Sequence, residues 1–132
     1  MSKPILVLDF DGVLHSYTSG WKGYDVIPDP PVEGAIEFLF EAIENFDVCI
    51  YSTRNEVPEG IEAMRMWLAT YETIYFSEHP NSPRPRTALS LCIDFPHSKP
   101  AAFVGIDDRI LTFEGKFPDM ETLKNFKPWN KK

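Results

Sequence analysis

The feature that most constrains this chain is the segment ILVLDFDGVLHS at residues 5–16, where an apolar run ends in two aspartates and a glycine. The run predicts a strand over residues 4–10 that is covered on both faces. Asp9 and Asp11 then lie where that strand ends. Because a carboxylate is costly to remove from water unless a positive group pairs with it, the two aspartates predict a neighbouring cation or a bound metal.

Length and composition predict one domain of ordinary globular type, formed by residues 1–132. The chain is long enough to bury a core without disulfide bonds, and 43% of its residues are hydrophobic. Its net charge of −7 argues against loose electrostatic binding to nucleic acid or to anionic membranes. Cys49 and Cys92 lie in apolar stretches, which is typical of reduced core residues. With no segment of transmembrane length and no secretory signal, we expect a cytoplasmic protein.

Hydrophobic periodicity predicts strands that alternate with helices. The predicted elements are, in chain order, the strand at 4–10, an amphipathic helix within 31–46, a strand at 47–53, a helix after Pro58, a strand at 101–108 and a short helix near 119–126. At least one of the stretches 73–77 and 88–95 is expected to be a further strand, with a proline-rich loop between them. The alternation predicts an α/β fold in three layers, with a parallel sheet between helices.

A second acidic pair follows another strand that is predicted to be buried. Asp107 and Asp108 end the apolar run at 101–108, as Asp9 and Asp11 end the first. Ligands bind at the carboxyl ends of the strands in open α/β sheets, so we expect the four carboxylates to converge there. A site built from oxygen ligands alone favours Mg²⁺, which commonly accompanies phosphate-bearing substrates.

Hydroxyl and cationic side chains are predicted near the same edge of the sheet. The second strand runs into Ser52, Thr53 and Arg54, and Lys99 precedes the last strand. Hydroxyl donors and fixed positive charges suit a phosphoryl group, and a nearby carboxylate is a candidate nucleophile. The residues alone leave open which of Ser52 and Thr53 faces the phosphate. They also leave open whether Arg54 touches substrate or pairs with Glu56 on the surface.

The order of these motifs resembles that of the haloacid dehalogenase (HAD) superfamily of phosphotransferases. The likeness extends from residue 5 to about residue 113 and rests on DFDGVLH, on Ser52 in IYSTR, on Lys99 in SKPAA and on VGIDDR. More narrowly, STR followed by IDDR resembles the phosphatase half of phage-type polynucleotide kinases. The chain is also similar to small uncharacterised HAD proteins from phages and bacteria.

The resemblance implies catalytic and metal-binding roles for the acidic residues. Asp9 would attack phosphorus and become an aspartyl-phosphate. Asp11 would protonate the leaving oxygen and then deprotonate the water that hydrolyses the intermediate. Asp9, the backbone carbonyl of Asp11 and one acid of the later pair would hold Mg²⁺, with Asp108 preferred and Asp107 in support.

The resemblance also implies how the phosphoryl group is bound. Ser52 and Lys99 would contact its oxygens, and Gly12 would permit a sharp turn where a Cβ would crowd the site. Thr53, Arg54, Gly12 and His15 form the predicted substrate-binding set. For His15 two interpretations stand: a proton relay or substrate contact, and simple packing within the turn.

The spacing of the motifs leaves little room for a cap domain. Only residues 15–31 separate the first motif from the first helix, so we expect an open site with this segment as a minimal flap. Its aromatic residues Tyr17, Trp21 and Tyr24 predict either a base-stacking platform or a flap that packs on its own scaffold.

The expected function is that of a Mg²⁺-dependent phosphomonoesterase acting on nucleotides or on nucleic-acid terminal phosphates. One alternative is a phosphatase of small metabolites such as sugar phosphates. Another is a non-catalytic module that binds Mg²⁺ or phosphate. The expected partner is thus a phosphorylated small molecule or a nucleic-acid end. No membrane partner is expected, and the sequence does not identify a protein partner.

Overall fold

The computed structural model describes residues 3–131 as a mixed α/β structure with a small parallel sheet. Its elements are β1 (Ile5–Leu8), α1 (Ala35–Asn45), β2 (Asp47–Ile50), a 3₁₀ turn (Thr53–Glu56), α2 (Pro58–Glu78), α3 (Leu89–Cys92), β3 (Val104–Ile106), α4 (Met120–Lys124) and a second 3₁₀ turn (Trp129–Lys131). The strand order is β2–β1–β3, and both pairs are parallel. The predicted α/β class with a parallel sheet is confirmed.

The register of the sheet brings the ends of its three strands to one edge. Leu8, the last residue of β1, lies opposite Ile50 of β2 and Ile106 of β3. The segments that follow these strands therefore start side by side, because parallel strands in register end together. This is the edge at which the sequence predicts that the polar motifs lie close together.

The core forms between the sheet and the first two long helices. Leu6 and Leu8 of β1 are buried, and Leu39 of α1 and Met64 and Leu68 of α2 pack in the same cluster. Ile36 and Leu39 of α1 are buried, Phe40 and Ile43 are partly buried against the core, and the helix begins at Ala35 after Gly34. Apolar residues repeated at helical spacing thus place α1 and α2 against the sheet.

The prediction that at least one of the stretches 73–77 and 88–95 forms a further strand is wrong. Residues 73–77 belong to α2, which continues to Glu78 because Phe76 is buried in step with the helical positions before it. Within 88–95 the chain forms the short helix α3, and only Asp94 makes an isolated parallel bridge with Cys49. An apolar run of this length is compatible with either state, and packing against α2 favours the helical turn.

β3 differs from the other strands in burial. Its residues Val104, Gly105 and Ile106 are all exposed, whereas β2 is buried from Val48 to Ile50. The prediction that the last strand is buried is therefore wrong. Residues 109–126, which follow β3, form turns and α4 and are exposed almost throughout instead of covering the strand.

Neither cysteine forms a disulfide bond within residues 3–131. Cys49 is buried, Cys92 is half-buried, and both are free thiols. None of the described helices is both long and apolar enough to cross a membrane.

Candidate active site

Three aspartates converge at the carboxyl edge of the sheet. Asp9 follows β1, while Asp107 and Asp108 follow β3, and one carboxylate oxygen from each lies within 4.8 Å of the others. The backbone pairing produces this convergence, since the N–H of Asp9 donates to the carbonyl of Ile106 at 3.0 Å. We call Asp9, Asp107 and Asp108 the acidic triad. Of the four carboxylates predicted to converge, these three do so, whereas the Asp11 side chain lies outside the group.

The acidic triad concentrates negative charge, and one of its buried oxygens has no hydrogen-bond partner among the described residues. Burial, followed by the negative charge of Asp107 and a hydrogen bond with Asp108, raises the pKa of Asp9 to about 8. The buried Oδ1 of Asp108 has no hydrogen-bond partner. Three crowded carboxylates and an unpartnered buried oxygen fit a hard cation with oxygen ligands, as Mg²⁺ is. The residues present therefore suit the metal predicted from the sequence.

Gly12 makes room for the triad. Its φ of 86° lies in the left-handed region, and a Cβ at this position would collide with the carboxylate of Asp108. The carbonyl of Gly12 accepts a 2.7 Å hydrogen bond from the indole N–H of Trp129, near the C-terminal end of the described chain. The predicted need for glycine is borne out, although its neighbour is a carboxylate of the triad.

Asp11 has a different environment, because two positive or donating side chains hold it. Its Oδ1 lies 2.8 Å from Nδ1 of His15, and its Oδ2 accepts a 3.0 Å bond from Nε of Arg54. Nε2 of His15 accepts a 3.1 Å bond from the backbone N–H of Asp29, so Nδ1 carries the proton that His15 donates to Asp11. The carboxylate of Asp11 is therefore paired within the protein.

Arg54 and His15 are fully buried, so neither of the two interpretations of Arg54 left open by the sequence holds, and for His15 the packing interpretation is favoured. The surface pair of Arg54 with Glu56 is wrong: Glu56 accepts a 2.9 Å hydrogen bond from the hydroxyl of Tyr24 instead. His15 packs inside the turn, stacked on Phe10 with ring centroids 5.7 Å apart. Both side chains bond the carboxylate of Asp11, and neither exposes surface to a substrate.

Ser52, Thr53 and Lys99 border the space beside Asp9. Ser52 and Thr53 line a cleft of about 400 Å³ that also contains Asp9 and Asp107. Lys99 is exposed and lines an adjoining cleft of about 750 Å³ that again reaches Asp9. The hydroxyl of Ser52 accepts a 3.2 Å bond from the N–H of Arg54, so it caps the 3₁₀ turn after β2. Both hydroxyls remain candidates for the phosphate.

Several residues of the site were missed from the sequence. Tyr51 and Arg109 line the cleft with Asp9, and each sits next to a recognised motif, which is the only signal that the sequence offered. Asn55 is buried, and its side chain bonds the N–H of Ser52 at 3.2 Å and the carbonyl of Ile50 at 2.8 Å. The spacing of Ser52 and Asn55 matches a capping box, a pattern that was readable in advance.

The flap at 15–31 makes several contacts with its own scaffold, although Trp21 stays 44% exposed. Trp21 contacts Tyr24 edge-on, with centroids 5.2 Å apart, and its ring lies 4.8 Å from the guanidinium of Arg54. Hydrogen bonds from the hydroxyl and N–H of Ser19 anchor the carboxylate of Asp29 and lower its pKa. These contacts favour the packed flap over a free stacking platform.

Tyr17 carries the only positive φ of a non-glycine residue among those described, at 61°. Its ring contacts His15 edge-on at 5.8 Å, and burial, followed by the charge of Asp11, raises the pKa of its phenol. Strained backbone of this kind often marks a functional site.

Comparison of the chain with protein-family models, with curated proteins and with solved structures found no match.

Proposed function

We propose that this protein is a Mg²⁺-dependent phosphomonoesterase of the HAD type that acts through an aspartyl-phosphate on Asp9. One observation carries the proposal. Asp9 joins a triad that forms no salt bridge with any residue in 3–131, while Asp11, two residues later, is held by Arg54 and His15. Two carboxylates in contrasting environments suit two chemical roles, a nucleophile beside a cation and a proton-transfer group.

In the first step, a carboxylate oxygen of Asp9 attacks phosphorus, and the bond from phosphorus to the ester oxygen breaks. The carboxyl group of Asp11 gives its proton to the departing oxygen, so the alcohol leaves uncharged. In the second step, water loses a proton to Asp11 and attacks phosphorus. The aspartyl–phosphorus bond breaks, which releases inorganic phosphate and restores both carboxyl groups.

The metal is assigned to the triad. When bound, Mg²⁺ would neutralise negative charge on the carboxylates and on the phosphoryl oxygens. Asp9 and Asp108 would hold it with the backbone carbonyl of Asp11, and Asp107 would support them. Ser52 and Lys99, which line the clefts next to Asp9, would bind the remaining phosphoryl oxygens.

The proposal includes a three-layer HAD-like architecture with the flap at 15–31 as a minimal cap, in a cytoplasmic protein. The parallel order β2–β1–β3, with the acidic motifs after β1 and β3, supports the architecture. The half-open clefts beside Asp9 suit a substrate that extends beyond the site. We therefore propose nucleotides or the phosphorylated ends of nucleic acids as substrates.

The test is phosphate release from p-nitrophenyl phosphate with Mg²⁺ or with EDTA. Wild type, Asp9→Asn and a control variant, Asp47→Asn, are compared, since Asp47 starts β2 at the opposite end of the sheet. We expect metal-dependent turnover in wild type and in the control, and loss of turnover in Asp9→Asn. Activity of Asp9→Asn on a 3′-phosphorylated oligonucleotide would rule out the nucleophile.

A substrate panel then separates the competing functions. Preference for a sugar phosphate over every nucleotide and oligonucleotide would favour a metabolite phosphatase. Mg²⁺ binding with no turnover, and with no beryllium fluoride adduct on Asp9, would favour a non-catalytic binding module.

A further inference from the structure

We infer that Arg54 is a positioning residue, which fixes the orientation of Asp11 for proton transfer and ties that orientation to the flap. The inference rests on the proposed function, because it concerns the acid–base role of Asp11. The guanidinium of Arg54 is fully buried, so it does not meet a substrate directly and acts through the groups that it bonds.

The contacts of Arg54 form a two-sided clamp. On one side, Nε and Nη2 donate to the carboxylate of Asp11, with Nε to Oδ2 at 3.0 Å and Nη2 to Oδ1 at 3.1 Å. On the other side, Nη1 donates to the carbonyls of Gly23 and Tyr24 in the flap, each at 2.8 Å. Trp21 of the flap lies 4.8 Å from the same guanidinium. One planar group thus joins the proton-transfer carboxylate to the flap.

The two oxygens of Asp11 are held unequally. Oδ1 is close to three donors: Nη2 and Nε of Arg54, and Nδ1 of His15 at 2.8 Å. Oδ2 accepts from Nε alone among the described residues. Oδ1 is therefore the more firmly held oxygen, and Oδ2 has the greater free acceptor capacity, so we assign Oδ2 to the proposed proton transfer. Arg54 and His15 together determine which oxygen of Asp11 is available for the proposed proton transfer.

An arginine is required for this arrangement. Its fork can bond a carboxylate on one side and two carbonyls on the other, whereas the ammonium group of lysine is a point charge without that planar geometry. A lysine would keep the positive charge near Asp11 but would leave part of the clamp unmade. The conservative variant therefore separates the effect of charge from the effect of orientation.

Dependence on the leaving group tests this role. p-Nitrophenolate departs readily without a proton, whereas phenolate is a poorer leaving group and gains more from an acid. A misdirected Asp11 should slow the release of phenol more than the release of nitrophenol. General acid catalysis is worth roughly 10²- to 10⁴-fold, so a partial loss is measurable.

The experiment measures kcat for p-nitrophenyl and phenyl phosphate, in the same preparation, for wild type, Arg54→Gln and Arg54→Lys. Because both rates come from one sample, their ratio is independent of the folded fraction. We expect Arg54→Gln to lose at least about tenfold more rate on phenyl phosphate than on p-nitrophenyl phosphate, with Arg54→Lys intermediate. If Arg54→Gln does not fold, Arg54→Lys supplies the ratio.

A matched control is Arg65→Gln. Arg65 also packs its guanidinium over an aromatic ring, at 4.6 Å from the centroid of Phe95, and donates to the carbonyl of Ser90 away from the triad. Its ratio should equal that of wild type. An equal loss on both substrates in the Arg54 variants would overturn the positioning role while leaving the phosphatase intact. Failure of wild type to hydrolyse any phosphate ester would overturn the proposed function instead.

Discussion

Asp9 and Asp11 are two residues apart in one loop, yet their surroundings are opposite. Asp9 faces two more carboxylates, and its pKa rises to about 8 because burial and negative charge both penalise its ionised form. Asp11 faces a buried arginine and a buried histidine that donate to it. The charge of the first site favours a bound cation, which we propose to be Mg²⁺, whereas the second already contains its positive partner.

The difference shows how one short segment serves two purposes. The register of β1 with β3 places Asp9 beside Asp107, so the sheet builds the acidic triad. The flap and the turn after β2 place Arg54 and His15 around Asp11, so loops build the second site. A rigid element positions the carboxylates that would bind metal, and loops position the carboxylate that would move a proton.

The largest expected effect separates the two aspartates kinetically. Asp9→Asn should abolish both steps. Asp11→Asn should lower steady-state turnover by roughly 10²- to 10⁴-fold but still allow Asp9 to attack p-nitrophenyl phosphate. Rapid mixing should then show a burst of nitrophenolate equal to the enzyme concentration, followed by slow hydrolysis of the aspartyl-phosphate. Absence of both burst and turnover in Asp11→Asn would contradict the division of roles.

The second prediction concerns stability without metal. The raised pKa of Asp9 means that the folded protein binds a proton more tightly than the unfolded chain does. The stability from protonated Asp9 is complete below its ordinary pKa of 3.8 and is lost as the pH rises through about 8. In EDTA, the free energy of unfolding should fall by at most about 1.4 kcal/mol per pH unit over this range.

Urea denaturation at several pH values measures this dependence. Asp9→Asn should remove the Asp9 part of it, because the amide does not ionise. Added Mg²⁺ should stabilise wild type more at pH 8 than at pH 6, since metal binding displaces the proton. A wild-type profile identical to that of Asp9→Asn would show that the triad imposes no such penalty.

The smallest predicted effect compares two glycines. Gly12 and Gly34 both have a positive φ, at 86° and 83°, but a Cβ meets the carboxylate of Asp108 only at Gly12. Gly34→Ala should therefore cost about 1–2 kcal/mol of backbone strain and leave activity intact. Gly12→Ala should cost that much and also displace Asp108, which should weaken Mg²⁺ binding. Equal Mg²⁺ affinity in the two variants would contradict the claim that the space left by Gly12 is needed for the metal site.

The acidic triad was predictable from the sequence for a definite reason. Asp9 and Asp107 each follow an apolar run, and parallel strands in register end at the same edge. The surroundings of Asp11 were not predictable, because Arg54 is 43 residues away and is oriented by two backbone carbonyls of an irregular flap. No periodic pattern specifies the path of such a loop.

The fold shows the same division. The helical stripe of α1 and the strands β1 and β2 follow from local hydrophobic periodicity. The helical state of residues 73–77 and the exposure of β3 depend instead on what packs against each segment, which periodicity does not encode. The bond from Trp129 to Gly12 spans 117 residues and gave no signal in the sequence.

The most direct test of the two-site account is calorimetric titration of Mg²⁺ into wild type, Asp108→Asn and Asp11→Asn. Asp108 belongs to the triad, whereas the side chain of Asp11 is paired with Arg54 and His15. We expect Asp108→Asn to weaken Mg²⁺ binding by about tenfold or more and Asp11→Asn to stay within about threefold of wild type. Equal losses in the two variants, or no binding to wild type, would contradict the two-site account.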